Sequence, residues 1–126
     1  MAQTTAPVKR PAPARLDYCL QAYRRGRQPL FMLALPEHLA IGAGRRLVRE
    51  AVDYHVQPVM PGRVNLFFGQ TPCVELVRSM VCKPLYQLSH EEDFILGVLL
   101  GQDLRQQCLR WLVRRDQPEQ GPMVVH

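Results

Sequence analysis

Two apolar runs meeting at Pro61-Gly62 organise the middle of the chain. In the second run Val64, Leu66 and Phe68 alternate with Asn65 and Phe67, the period of two expected of a strand. Proline followed by glycine suits the central positions of a tight turn, so residues 56–69 predict a β-hairpin. Thr71-Pro72 then supplies an N-cap and a first-turn proline for a helix over residues 72–81. Its inward positions are Cys73, Leu76, Val77 and Met80, and Lys83-Pro84 breaks it.

The flanks follow the same logic. Residues 16–25 form a short helix with Leu16, Leu20 and Tyr23 on one side and Arg15, Arg24 and Arg25 on the other, closed by Gly26. Residues 30–35 are continuously apolar between Pro29 and Pro36, which suits a strand buried on both faces. From 37 to 54 the period becomes helical: Leu39, Ala40, Ala43, Leu47, Ala51 and Val52 share a face, with Arg45, Arg46, Arg49 and Asp53 elsewhere. Gly42 and Gly44 weaken that helix by about 1 kcal/mol each relative to alanine. Ser89 to Glu92 matches a capping box, opening a helix through Phe94, Ile95, Val98 and Leu99 that stops at Gly101. Asp103 opens a last helix with Leu104, Cys108, Trp111 and Leu112 in register.

The order is helix, strand, helix, strand, strand, helix, helix, helix. Inserting the third strand between the first two gives a three-stranded sheet of order 1-3-2 from a βαββα unit, packed with about five helices. This is a small α/β (α+β) fold that resembles a ferredoxin-like split unit lacking its last strand. Its first strand lies on an open edge while being very apolar, a liability unless covered. Self-association, or cover from the N-terminal helix, is the natural remedy, and a homodimer is the preferred expectation.

Composition keeps the chain in the globular class. At 126 residues it suits one domain, and 47% hydrophobic with 21% charged residues is ordinary. No apolar run approaches the ~20 residues of a membrane span, and no signal-peptide core is present, so the expected location is the cytoplasm and no membrane partner is expected. Pro7, Pro11 and Pro13 mark residues 1–14 as a disordered basic arm, residues 15–115 as the domain and 116–126 as a flexible tail. The net charge of +5 has an uneven source. Residues 1–27 hold Lys9, Arg10, Arg15, Arg24, Arg25 and Arg27 against Asp17 alone, which is the whole excess; residues 28–126 balance ten bases with ten acids. Such an end either touches an acidic partner or phosphates, or only keeps the chain in solution.

Candidate chemistry is sparse. Gly42-Ala43-Gly44 lacks the third glycine of a dinucleotide fingerprint, Leu47 standing there, and lies inside a helix. Glu91, Glu92 and Asp93 complement a helix N-terminus without any metal. His38, His55, His90 and His126 show no ligand spacing, and Cys19, Cys73, Cys82 and Cys108 form no Cys-x-x-Cys pair and read as reduced. No catalytic, cofactor-binding or metal-binding residue is assigned, and the expectation is a protein that is not an enzyme. The last two helices, joined near Gly101-Gln102-Asp103 and carrying Arg105, Arg110, Arg114 and Arg115, offer an alternative as a DNA-binding regulator. Ordinary helix packing explains them as well, so nucleic acid is not the expected partner.

The runs Gln57-Pro58-Val59, Arg63 to Gly69, Glu91 to Gly101 and Gln107-Cys108 together resemble a small bacterial domain-of-unknown-function family. The resemblance spans roughly residues 17–113. It implies three strands, five helices and a homodimer, with no established activity. It also implies genes lying beside flavodoxin genes, hence an accessory role in flavodoxin-linked electron transfer. The family tends to carry a His-His pair near its start, where this chain has Tyr18-Cys19, so no metal or redox role is carried over. The combined expectation is an accessory dimer that binds flavodoxin, or another acidic protein, through Arg24, Arg25 and Arg27.

Overall fold

A computed structural model describes residues 12–116. Helix α1 (Ala12–Arg24) leads into strand β1 (Leu30–Pro36), a 3-10 turn (Glu37–Leu39) and helix α2 (Ala40–Arg49). The hairpin of β2 (Asp53–Met60) and β3 (Arg63–Gly69) follows, then α3 (Thr71–Met80), α4 (His90–Leu99) and α5 (Leu104–Arg115). The sheet has the order β1-β3-β2, with both outer strands antiparallel to β3. The strand with the cleanest alternation is therefore the central one, buried on both faces. On one face Val64, Leu66 and Phe68 cluster with Phe31, Leu33 and Leu35 of β1, Leu16 and Leu20 of α1 and Leu47 of α2. Phe31 stacks on Phe68 at 5.5 Å, and Tyr23 stands edge-on to both rings at 6.4 Å. On the other face Phe67 and Leu30 pack with Val74, Val77 and Met80 of α3 and Leu96 of α4.

Local punctuation held where the chain states it directly. Gly62 has φ +86° in the hairpin turn after Pro61, the sign a type II turn asks of its third residue. Gly26, at φ +74°, ends α1 as a Schellman motif: the Arg27 N–H donates to the Ala22 carbonyl at 3.1 Å and the Gly26 N–H to Tyr23 at 2.9 Å. The capping box at Ser89 and Glu92 is complete, and the Asp103 carboxylate accepts the Gln106 N–H at 3.1 Å.

Five expectations need correction. The first strand is not buried on both faces: Phe31, Leu33 and Leu35 are inside, whereas Met32 is 37% exposed and Ala34 is exposed. The second helical layer covers that face only as far as Leu30 and Phe67. The helix expected over 37–54 ends at Arg49, because Ala51 adopts φ 59° and turns the chain back. Val52 N–H then reaches the Leu47 carbonyl at 2.9 Å, and residues 53 and 54 become the start of β2, Tyr54 opposite Phe68. On α3 the N-cap is Gln70 rather than Thr71, Val74 is buried and Leu76 is 39% exposed. On α5 the positions expected inside, Leu104, Cys108 and Leu112, are exposed, and Gln107 is the buried residue, because the helix packs against α4 on a different stripe. Finally, α1 starts at Ala12, so residues 12–14 belong to the helix and not to the arm. The rest of the arm, and the tail from 117, lie outside the described residues.

Ala51 occupies a position where glycine is usual, since a Cβ at positive φ crowds the backbone. Ala51→Gly is expected to raise stability by about 0.5–1 kcal/mol, the relief outweighing the extra freedom glycine gives the unfolded chain. Urea titration checks it through a higher midpoint at unchanged slope.

Both sheet edges are partly closed. On β2 the Arg78 guanidinium donates to the Tyr54 carbonyl at 3.1 Å, Pro58 lacks an N–H, and a register shift between Pro58 and Met60 twists the end away. On β1 the outward carbonyls of Leu30 and Ala34 accept from Gln28 Nε2 at 2.7 Å and Arg15 Nη2 at 3.2 Å. By the same alternation the Met32 backbone between them also points outward.

Candidate functional site

The C-terminal ends of α1 and α2 lie side by side, and a chain of ion pairs fastens them. Glu50, the residue that caps α2, pairs with Arg24 of α1 and with Arg46 of its own helix, the latter at 3.0 Å. Arg46 also reaches Asp17 on α1. The Arg24 guanidinium, and next that of Arg46, holds the Glu50 carboxyl below its ordinary value. Glu50 thus stays ionised and keeps the two helices in register.

Around this staple the charge is one-sided. Arg25 and Arg27 follow Arg24, and Arg45 and Arg49 flank Arg46; all four are exposed, and none has an ion-pair partner among the described residues. Six arginines (Arg24, Arg25, Arg27, Arg45, Arg46, Arg49) thus face two carboxylates (Asp17, Glu50), a local excess of four positive charges. Two branched apolar side chains stand among them on α2, Ile41 at 70% and Val48 at 66% exposure. Another part of α2 borders a pocket of about 250 Å3, floored by Leu16, Leu35, Leu39 and Ala43 and rimmed by Gly42, Arg46 and Arg49. Such a ridge can hold carboxylates and apolar side chains.

The three arginines singled out in the sequence therefore fall together but play two parts. Arg24 is committed to Glu50, while Arg25 and Arg27 are exposed and have no ion-pair partner among the described residues. Arg45 and Arg49 were missed, although their i, i+4 spacing on the polar side of a helix puts them on one stripe.

A second concavity, about 780 Å3, lies between β2 and the connection from α3 to α4. It is lined by His55, Gln57, Asn65, Arg78, Lys83 and Tyr86 among others, and no carboxylate lines it among the described residues. Its floor is fixed by buried amides: Asn65 Nδ2 donates to Gln57 Oε1 at 3.1 Å, and Gln57 Nε2 donates to the Lys83 carbonyl at 3.0 Å. Burial, and then the charge of Arg78, pushes the His55 imidazole below its usual value. Its cations are occupied, Arg78 with Glu75 at 3.0 Å and Lys83 with Glu92 at 2.8 Å. Among the described residues no group of three or more His, Cys, Asp or Glu is arranged to hold a metal, and no cysteine is in a disulfide. Cys19 is half-buried, and burial raises its thiol pKa more than nearby Arg15 lowers it.

On α5 the basic groups are largely turned inward to the protein itself. Arg110 and Arg114 both meet Asp93 of α4, at 2.5 and 2.9 Å, and Arg115 lies 5.5 Å over the Trp111 ring.

Residues 16–114 match the family described as protein of unknown function DUF2023. The chain belongs to this family. The match runs from Leu16 in α1 to Arg114 in α5, so the whole sheet and the arginine ridge lie within the DUF2023 domain. No curated protein matches the chain. Among the described residues no helix is long and apolar enough to cross a membrane.

Proposed function

We propose that this DUF2023 protein is a non-enzymatic accessory module, acting in the cytoplasm as a homodimer and binding an acidic protein through the ridge at Arg25 and Arg27. The observation that carries the reading is the excess of four positive charges gathered around two fastened helix ends, with four arginines that have no ion-pair partner among the described residues. A cluster of this kind steers an oppositely charged surface and favours one orientation on arrival. For self-association, the β1 edge supports the idea: the Met32 backbone faces outward between two capped carbonyls, and Met32 and Ala34 present an uncovered apolar strip.

A flavodoxin is the partner to try first, since flavodoxins are generally acidic and the family resemblance implies neighbouring genes. Calorimetric titration with the flavodoxin of the same cell should give heat at low salt that shrinks as salt rises. No heat at either salt counts against the acidic-partner reading. Sedimentation should give twice the chain mass, and a monomer at all concentrations removes the dimer from the proposal.

A further inference from the structure

The glycines of the Gly42-Ala43-Gly44 run have different reasons for being there. A Cβ on Gly44 would stand 2.7 Å from the Tyr54 hydroxyl, so a side chain there would have to displace the Tyr54 ring on β2. A Cβ on Gly42 would meet nothing within 4 Å. Its φ is also ordinary, and helix propensity favours almost any other residue. Nothing among the described residues calls for glycine at 42, yet Gly42 lies on the rim of the 250 Å3 pocket in the arginine ridge. The missing side chain keeps that pocket open.

We propose that this pocket receives one large apolar side chain of an acidic partner protein, with carboxylates beside that side chain on the partner meeting Arg45 and Arg49. The inference rests on the acidic-partner reading above and deepens it. At about 250 Å3 the pocket is below the range of roughly 300–1,000 Å3 typical for drug-sized ligands and suits a single side chain. Its floor of Leu16, Leu35, Leu39 and Ala43 offers no hydrogen bond to a polar group. Arg49 at the rim is exposed and has no ion-pair partner among the described residues, whereas Arg46 is held by Glu50 and Asp17. The surrounding arginines extend over two helices, wider than one headgroup of a small amphiphile needs. A buried anchor encircled by charges at the rim is the arrangement by which protein interfaces concentrate their affinity.

The test uses short labelled acidic peptides that differ only in a central leucine or serine, titrated by fluorescence anisotropy against the full chain. The leucine peptide should bind about tenfold more tightly than the serine peptide, the expected return on burying one aliphatic side chain. In Gly42→Leu, and in Gly42→Met as a second filling variant, that difference should vanish while serine-peptide binding persists. Circular dichroism confirms the fold of each. Equal affinities in the unaltered chain, or an undiminished difference in the filled variants, overturn the pocket. If in that case Arg25→Glu/Arg27→Glu still weakens both peptides, the acidic-partner reading stands alone. Failure of both peptides to bind removes both proposals. Binding of decanoate in their place, or a dimer lost in Gly42→Leu, would assign the pocket to an amphiphile or to a second copy and likewise overturn the anchor.

Discussion

Gly69→Ala is expected to destabilise the fold by about 3 kcal/mol or more, the combined cost of a disallowed backbone conformation and overpacking. Gly69 ends β3 at φ +154°, and a Cβ there would overlap the Pro29 carbonyl oxygen and stand 3.0 Å from the Leu30 Cα. These are backbone atoms, which cannot swing aside as a side chain can. The same Pro29 carbonyl accepts the Gln70 N–H at 2.9 Å, and Gln70 is the N-cap of α3. Any adjustment at Gly69 therefore disturbs the entry to β1 and the turn from the sheet into the second helical layer together. For a domain of this size the loss lowers the melting temperature by roughly 12–24 °C. Gly62→Ala is the internal comparison: its φ is +86° but a Cβ meets nothing within 4 Å, so only the conformational cost of about 1 kcal/mol applies. Thermal melts followed by circular dichroism decide it, and equal melting temperatures for the two variants would contradict the steric argument.

The contrast between these glycines also shows what a sequence can state about this fold. The turn at Pro61-Gly62, the stops at Gly26 and Gly101 and the capping box at Ser89 depend on residues within one turn of each other, so each could be read directly. The end of α2 could not. Ala51 continues the helical period and is the last residue expected to adopt a positive φ, so the switch to β2 has no local signature. The apolar stripe of α5 misled for a different reason. Periodicity shows that Leu104, Cys108 and Leu112 share a face, but not that the chain supplies something to cover it. Steric needs at Gly69 and Gly44 arise from Pro29 and Tyr54, which only the tertiary structure brings near. The ridge was legible in half. Arg24, Arg25 and Arg27 stand out because residues 1–27 are basic, whereas Arg45 and Arg49 come from a stretch whose acids balance its bases and join the ridge because Glu50 and Arg46 tie α2 to α1.

Reversing two charges on that ridge is the change with the largest expected effect on binding. In Arg25→Glu/Arg27→Glu four units of charge change sign of interaction with an acidic partner, while Arg24, Glu50, Arg46 and Asp17 keep the helix ends fastened. Arg24 is left alone on purpose, because removing it breaks the Arg24–Glu50 tie between α1 and α2 and confuses a loss of binding with a loosened fold. Across about 8 Å of water each unit contributes roughly 0.5 kcal/mol, so the double variant should lose about 2 kcal/mol. That is about a thirtyfold weaker dissociation constant at low salt. At about 1 M salt, where the Debye length is near 3 Å, the two proteins should differ little. Both substituted side chains are exposed and lack ion-pair partners among the described residues, so melting temperatures should match within a degree or two, roughly 0.5 kcal/mol at most. Isothermal titration at the two salts, with melts of both proteins, separates the possibilities. Unchanged affinity at low salt would show that the positive end of this molecule serves solubility and that recognition lies elsewhere.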